Sequence, residues 1–181
     1  MVKWSYSGLK DYVTCSHQYH QTRILNNYKK DLTQHMIYGL EVHKALEEYV
    51  KDNKPLPKNY QSYKGLMDVI MDIPGVRYPE QKLAMTKERA PCSFDDSNYW
   101  VRGIVDLLIH NNNTGYILDY KTGSNKYPDI KQLKLMSLMT FAHYPEIERI
   151  KAGLLFIAHN DFVNDEYTRA DIPELWGAFS N

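Results

Sequence analysis

The sequence predicts an α/β protein of three layers, in which helices cover both faces of a central mixed sheet. Apolar residues recur at helical spacing up to about residue 71, and the turn Pro74-Gly75 separates these helices from segments with strand character. The segment 101–109 is apolar on both sides, as expected for a central strand covered on two faces. A helix predicted after Pro128 lies between two strands and crosses the sheet.

The predicted elements follow one another without an internal repeat. Three helices are predicted at residues 5–24, capped by Ser5 or Ser7, at 33–52 and at 60–71. Strands are predicted at residues 77–87, 99–109, 115–120 and 152–159, with the crossing helix ending near His143. The last residues form a polar segment, in which Asp171 caps a short helix that begins near Pro173.

Length and composition favour one domain with its own core. The 181 residues suit a single domain over 1–181, divided into a helical part (1–75), a sheet with its crossing helix (76–160) and a polar C-terminal segment (161–181). A hydrophobic fraction of 43% and a charged fraction of 24% exclude disorder. Without a signal peptide or a long apolar run, we expect a soluble, cytoplasmic protein that does not contact membranes.

The charge balance and the cysteine content exclude several classes of function. The 22 basic and 22 acidic side chains balance, which excludes a protein that binds nucleic acid by bulk positive charge alone. A protein that holds cations through acidic groups is not excluded. Two cysteines are too few for a disulfide framework or an iron–sulfur cluster, so we expect reduced thiols. Glycine-rich phosphate loops are missing from the sequence, which argues against a nucleotide-hydrolysing enzyme.

One predicted hairpin carries the most informative residues. If its turn is centred between Asn112 and Asn113, Asp106 lies directly opposite Asp119, with Cβ atoms about 5 Å apart. Lys121 follows Asp119 by two residues and leaves the sheet on the same face. Opposed carboxylates repel each other unless a cation lies between them. A buried Asp–Lys pair with a purely structural role remains an alternative interpretation of this pattern.

The chemistry that needs such a set is phosphodiester hydrolysis. Hard oxygen ligands suit Mg²⁺ or Mn²⁺, which polarise a phosphoryl oxygen and lower the pKa of a bound water. A nearby ammonium group can orient that water and offset the negative charge that develops on the phosphorus.

Four motifs occur in the order and structural context of a known family. They are Gly39-Leu40-Glu41-Val42-His43 on a helix, Gly103-Ile104-Val105-Asp106 on a strand, Asp119-Tyr120-Lys121-Thr122-Gly123 at the end of the next strand, and Gln132 on the following helix. Over residues 4–160 the chain resembles the RecB-type branch of the PD-(D/E)XK nuclease superfamily, with similar sets in phage-encoded exonucleases and CRISPR-adaptation nucleases. The resemblance implies a restriction-endonuclease-like core preceded by N-terminal helices.

The resemblance also implies a role for individual residues. His43, Asp106, Asp119 and the backbone carbonyl of Tyr120 would bind Mg²⁺ or Mn²⁺, and Lys121 would be the catalytic lysine beside the two aspartates.

Further positions correspond to residues that bind DNA or lie beside the metal site in the family. Gln132 matches the glutamine of the family's Q-x-x-x-Y helix motif, and Met136 replaces the tyrosine, so that contact is lost or supplied by another aromatic residue. Glu80 is a candidate for a metal-binding or supporting acidic residue. We expect Tyr6 and Lys126 to contact DNA.

The iron–sulfur members of the branch place their first cluster cysteine where Cys15 lies here. The other three cluster ligands are missing from the sequence, so we expect no iron–sulfur cluster.

From this resemblance we expect a metal-dependent DNA exonuclease in replication, recombination or repair, plausibly phage-encoded. It would act on single-stranded DNA or duplex ends, with replication or recombination proteins as candidate partners. The alternatives are a structure-specific endonuclease of the junction-resolvase kind and a catalytically silent DNA-binding subunit.

Overall fold

A six-stranded mixed sheet forms the centre of the structure, a computed structural model that describes residues 2–14, 20 and 33–180. The strands are β1 (Val76–Met85), β2 (Pro91–Cys92), β3 (Val101–Asn111), β4 (Thr114–Lys121), β5 (Arg149–Phe156) and β6 (Asp161–Thr168). Their spatial order is β2-β1-β3-β4-β5-β6. Neighbours pair antiparallel except β4 and β5, which are parallel and therefore need a crossover between them.

Side-chain caps occur at the first turns of two helices, and one of them, Ser5, is a predicted cap. The helices are α1 (Tyr6–Thr14), α2 (Gln34–Asp52), α3 (Lys64–Met71), α4 (Ile130–His143) and α5 (Ile172–Gly177), with 3-10 turns at Lys58–Tyr63 and Arg169–Asp171. The hydroxyl of Thr33 accepts a hydrogen bond from the amide of Met36 at 3.2 Å, and Ser5 accepts from Gly8 at 3.3 Å. Residues 15–19 and 21–24 of the predicted first helix lie outside the described residues.

Two hydrophobic clusters lie on opposite faces of the sheet. On one face, buried residues of α2 and α3 pack against Leu107 and Leu118, which point towards these helices. On the other face, α4 and α5 pack against Val105 and Ile117. Because α4 connects the parallel strands β4 and β5, it covers this second face as a crossover must. The predicted three-layer α/β/α architecture around a mixed sheet is confirmed.

The hairpin of β3 and β4 has the register that the sequence predicts. Its ladder runs from Asn111–Thr114 to Leu107–Leu118, which centres the turn between Asn112 and Asn113. Asn112 adopts a φ of 54°, the left-handed conformation that asparagine tolerates in tight turns. The register therefore depends on local turn chemistry together with the apolar pattern of the two strands.

Beyond Leu107–Leu118, the two strands separate. This is the last β3–β4 ladder pair among the described residues; β4 continues beside β5 to the pair Lys121–Phe156, and β3 continues beside β1 to Val101–Met85. We call the gap between residues 101–106 of β3 and 119–121 of β4 the fork. The expected direct ladder pairing of Asp106 with Asp119 is therefore wrong: both residues lie at the point where the ladder ends.

The polar C-terminal segment contains a strand that the sequence pattern does not reveal. Strand β6 pairs along the edge of the sheet with β5, and its buried residue Tyr167 packs against the α4 side. An edge strand buries little of its surface, so most of its side chains can be polar. The predicted capping role of Asp171 on α5 is also wrong, since its carboxylate accepts hydrogen bonds from the amide (2.8 Å) and hydroxyl (3.2 Å) of Thr168 instead.

None of the helices in residues 2–14, 20 and 33–180 combines the length and the apolar character that a membrane span requires.

Candidate active site

Asp106 lies on β3 where the regular pairing is interrupted on both sides of the strand. Towards β1, ladder pairs are formed by Leu107 and Val105 but skip Asp106 and the opposite residue Glu80, whose φ is 50°. Towards β4, the backbone amide of Tyr120 donates to Oδ2 of Asp106 at 2.8 Å. A side-chain oxygen has thus replaced a ladder partner, which holds the buried Asp106 carboxylate in the fork.

His43 reaches Asp106 from α2. Its Nε2 lies 3.2 Å from Oδ2 of Asp106, and its Nδ1 lies 2.8 Å from the carbonyl oxygen of Gly39, one turn earlier in the helix. Burial lowers the pKa of His43, but the hydrogen bond and negative charge of Asp106 outweigh this effect and raise the pKa to about 9. Without a metal ion, His43 is therefore a cation at neutral pH and pairs with the aspartate.

Asp119 and Lys121 form an ion pair on the α4 side of β4. The Nζ of Lys121 lies 2.8 Å from Oδ2 of Asp119. The same buried oxygen has no well-aligned hydrogen-bond donor among the described residues. Burial and the charge of Asp106 raise the pKa of Asp119 to about 7, against the opposing effect of Lys121. One lysine therefore does not compensate the negative charge in the fork.

Gln132, at the start of α4, contacts both members of this pair. Its Oε1 accepts a hydrogen bond from Nζ of Lys121 at 2.6 Å, and its Nε2 donates to Oδ1 of Asp119 at 3.4 Å. The residue predicted to lie near the catalytic lysine is therefore in direct contact with it.

The backbone of Tyr120 also faces the fork. Its amide points to Asp106, and the N–H and C=O of one strand residue point to the same neighbour, so its carbonyl oxygen is directed there as well. The ring of Tyr120 is buried on the α2 side, 5.9 Å from the imidazole of His43. The predicted carbonyl ligand thus has a suitable direction, and its binding to a metal remains a prediction.

Glu80 belongs to the same electrostatic cluster, together with a residue that the sequence analysis missed. Burial raises the pKa of Glu80 to about 7, and the charges of Asp106 and Glu47 add to this effect. Glu47 lies four residues after His43, and helix residues with this spacing share a face. That spacing is the signal that would have identified Glu47.

Tyr6 and Lys126 lie outside this cluster. The hydroxyl of Tyr6 donates a hydrogen bond to Asp129, and its ring packs against the α4-side core and lines a cavity beside Gln132. Lys126 is exposed on the loop between β4 and α4, with its Nζ 5.5 Å from the ring centre of the exposed Tyr127. Met136 is buried in the core. DNA contacts by Tyr6, Lys126 and Gln132 remain predictions.

The donor atoms in the fork fit a hard divalent cation. Asp106 and Asp119 supply carboxylate oxygens, one of which is buried without an aligned donor. Burial, and after it the charge of Asp106, raises the pKa values of Asp119 and Glu80. Among residues 2–14, 20 and 33–180, no three acidic, histidine or cysteine side chains already form a metal cluster. A bound cation would therefore have to compete with His43 and Lys121 for the carboxylates.

The comparisons with known proteins identify the family. The family model of the PD-(D/E)XK nuclease superfamily matches residues 3–173, nearly the whole chain. The chain belongs to the PD-(D/E)XK nuclease superfamily. Membership in this superfamily implies metal-dependent nuclease activity on DNA, typically with Mg²⁺ or Mn²⁺. The mixed sheet with helices on both faces is the restriction-endonuclease-like core expected from the sequence.

Among solved structures, the crystal structure of SSO0001 is similar to this chain. The match covers 99% of this chain and 77% of that chain, with 15% sequence identity and a TM-score of 0.47. No curated protein matches the sequence significantly.

Proposed function

We propose that this nuclease is a RecB-type DNA exonuclease that acts in replication, recombination or repair. The observation that carries the proposal is the contact of Gln132 with both Asp119 and Lys121 beside Asp106 in the fork. This arrangement unites the strand carboxylates, the lysine and the helix glutamine whose order in the sequence resembles that branch. The same order, including His43 on α2, supports an exonuclease over the other nuclease types considered.

In this proposal, each residue of the site has a separate role. Asp106, Asp119 and the carbonyl of Tyr120 would hold the divalent cation, and His43 would complete the set in its neutral form. When bound, the cation would supply Lewis acidity and an activated water at the phosphate. Lys121 leaves its contact with Asp119 and places a positive charge near the phosphate oxygens, while Gln132 restricts where its Nζ lies.

Cleavage of linear and circular DNA tests the exonuclease assignment. Linear single-stranded DNA labelled at either end, its covalently closed circular form and blunt duplex DNA are incubated with Mn²⁺ or with chelator. We expect metal-dependent release of labelled nucleotides from linear single strands and no loss of the circles. Cleavage of the circles at a comparable rate would contradict an exonuclease and indicate an endonuclease.

The substitution Lys121→Met should slow this release by about 10²–10³-fold, and Lys151→Met is its matched control. Lys151 is an exposed lysine on the neighbouring strand β5, paired with Tyr116 towards the hairpin end of the sheet. Wild-type protein that cleaves none of these substrates with Mn²⁺ would favour the catalytically silent DNA-binding subunit.

A further inference from the structure

Among residues 2–14, 20 and 33–180, no helix packs over part of the sheet beside the fork. On one side of β3, Val101 and Val105 are buried in the α4-side core. On the opposite side, Arg102 is half-buried and Ile104 is 39% exposed, and the neighbouring Lys82 of β1, paired with Ile104, is exposed too. Central strands of a three-layer protein are normally apolar on both faces, so an exposed basic surface is unusual at this position.

Cations and aromatic rings alternate on this surface. The Nζ of Lys3 and the Cζ of Arg102 each lie 4.4 Å from the ring centre of Tyr99. The same Cζ lies 4.4 Å from the ring centre of Phe94, and Nζ of Lys82 lies 5.5 Å from it. We call these five residues the cation–aromatic ladder. Within the described part of the chain, its three positive charges have one acidic side chain within 4 Å, the 88% exposed Asp95, 3.7 Å from Arg102.

A cavity lies between the cation–aromatic ladder and the catalytic residues. It has a volume of about 350 Å³, and its lining includes Phe94 and Arg102 of the ladder together with Tyr6 and Gln132. Gln132 in turn donates to Asp119 and accepts from Lys121. Gly103 and Ile104 lie in its wall, on the part of β3 that no longer pairs with β4, and Ile104 is two residues before Asp106.

The spacing suits one short segment of a nucleic-acid strand. Arg102 and Asp106 are four residues apart on β3, a separation of about 13 Å at the rise of a strand. At the 3.4 Å per-strand spacing of duplex DNA this corresponds to about four nucleotides, and to fewer in an extended strand. Alternating basic and aromatic side chains are what proteins use to bind single strands, through phosphate contacts and base stacking.

Resting on the proposed nuclease function, we infer that the ladder and its cavity bind the single-stranded DNA that leads to the cleaved bond. Lys3, Arg102 and Lys82 contact the phosphates. One base enters the cavity, where the rings of Tyr6 and Phe94 lie in the wall. A base paired within a duplex cannot reach such a cavity without leaving the stack, so the arrangement selects an unpaired strand.

Equilibrium binding to fluorescent (dT)20 and to a blunt 20-base-pair duplex tests this inference. All variants carry Lys121→Met, so that no cleavage interferes, and binding is measured by anisotropy over a range of salt concentrations. Lys82→Ala should reduce the slope of log K against log salt by about 0.7, the value for one lost phosphate contact on a single strand. Its control, Lys51→Ala, removes an exposed lysine near the start of β1, at the hairpin end of the sheet, and should leave the slope unchanged.

A second variant tests the cavity. Ser7 is an exposed residue of its lining, and Ser7→Phe fills it; Ser62→Phe makes the same change at an exposed position in another cavity. Filling the base site should weaken (dT)20 binding about 5- to 150-fold, the loss typical of one stacked base, with little change in the salt slope. The Ser62 control should bind as the parent does.

Two results would overturn the inference. The first is that Lys82→Ala and Ser7→Phe bind (dT)20 as tightly as their controls do. The second is that these variants lose as much affinity for the duplex as they lose for (dT)20. Because binding is measured in a protein unable to cleave, the result is separate from the proposed function. If wild-type protein cleaves DNA but the variants fail this test, only the inferred DNA binding by the cation–aromatic ladder is refuted. If the variants bind as expected but wild-type protein never cleaves DNA, only the nuclease assignment is refuted.

Discussion

Gln132 joins Lys121 to Asp119 through the two ends of one side-chain amide. Its oxygen accepts from the ammonium at 2.6 Å and its nitrogen donates to the carboxylate at 3.4 Å. The hydrogen bonds orient the amide, and the amide restricts where Nζ of Lys121 lies. If the charge of Lys121 takes part in the reaction, as proposed, Gln132 is the residue that we expect to position it.

Replacing Gln132 with leucine should lower kcat by a larger factor than it raises KM, with little change in melting temperature. A hydrogen bond to a charged group contributes about 1.5–3 kcal/mol, so kcat should fall about 10- to 150-fold. Steady-state kinetics on single-stranded DNA measures this effect. Gln61→Leu, which removes an amide that bonds the carbonyl of Leu56, is the control and should leave kcat unchanged. A kcat for Gln132→Leu equal to that of wild type would contradict the positioning role.

Lys121→Met should strongly reduce turnover and keep the fold. If Lys121 stabilises the transition state, kcat should fall by about 10²–10³ while the melting temperature and Mn²⁺ affinity remain close to those of wild type. Lys121→Arg should not restore activity, because a planar guanidinium cannot replace a compact ammonium there. Cleavage by Lys121→Met within a few-fold of wild type would instead support a structural Asp–Lys pair.

Mn²⁺ should stabilise the protein without DNA. A ligand that binds only the native state at 100 times its Kd adds about 2.7 kcal/mol, which corresponds to about 5–10 °C in melting temperature for a domain of this size. Thermal melts with Mn²⁺ and with excess chelator measure the shift. Asp106→Asn should remove it, whereas Asp165→Asn on the exposed edge strand β6 should keep it. The metal assignment fails if wild type melts identically in both conditions.

Without metal, Asp119→Asn should melt above wild type at pH 8. The pKa of Asp119 is raised to about 7, so stability falls as the pH rises from about 4 to 7 and the penalty of the charge is complete at pH 8. Removing that charge should raise the melting temperature by about 2–4 °C for each kcal/mol relieved. Melts in chelator at pH 5 and pH 8 test this, with Asp165→Asn as control. A lower melting temperature at pH 8 would show that the ion pair with Lys121 dominates.

His43 should make the metal-free protein less stable as the pH rises from 6.5 to 9. Its folded pKa of about 9 exceeds the ordinary value of 6.5, so the contribution of its pair with Asp106 is complete below pH 6.5 and disappears as the pH passes 9. Urea unfolding in chelator across this range should show a smaller slope of stability against pH for His43→Gln. The exposed His159→Gln should keep the wild-type slope; if both variants keep it, the pair does not contribute to stability.

Local sequence features alone were enough to predict the hairpin and its residues. The turn Asn112-Asn113 and the apolar strands around it determine the register, and a strand's alternation places Asp119 and Lys121 on one face. The helical spacing of apolar residues likewise predicts a helix over residues 33–52, and α2 at Gln34–Asp52 places His43 on it. These features depend on residues that are close together in the chain, so a short window of sequence contains the information.

The features that only the tertiary structure decides depend on contacts between distant parts of the chain. The end of the β3–β4 ladder, which opens the fork at Asp106, results from each strand following its other neighbour. The same holds for the edge strand β6, whose polar sequence is stabilised by pairing with β5.

The amide contact of Gln132 and the charge of Glu47 beside Glu80 require helices that pack back onto the sheet from elsewhere. So does the cation–aromatic ladder, which assembles Lys3, Lys82 and Arg102 from three segments. The sequence by itself determined which chemical groups the protein carries and their local spacing along strands and helices. Only the packing of the layers decided which of them meet, because that packing selects among many non-local contacts that no local pattern distinguishes.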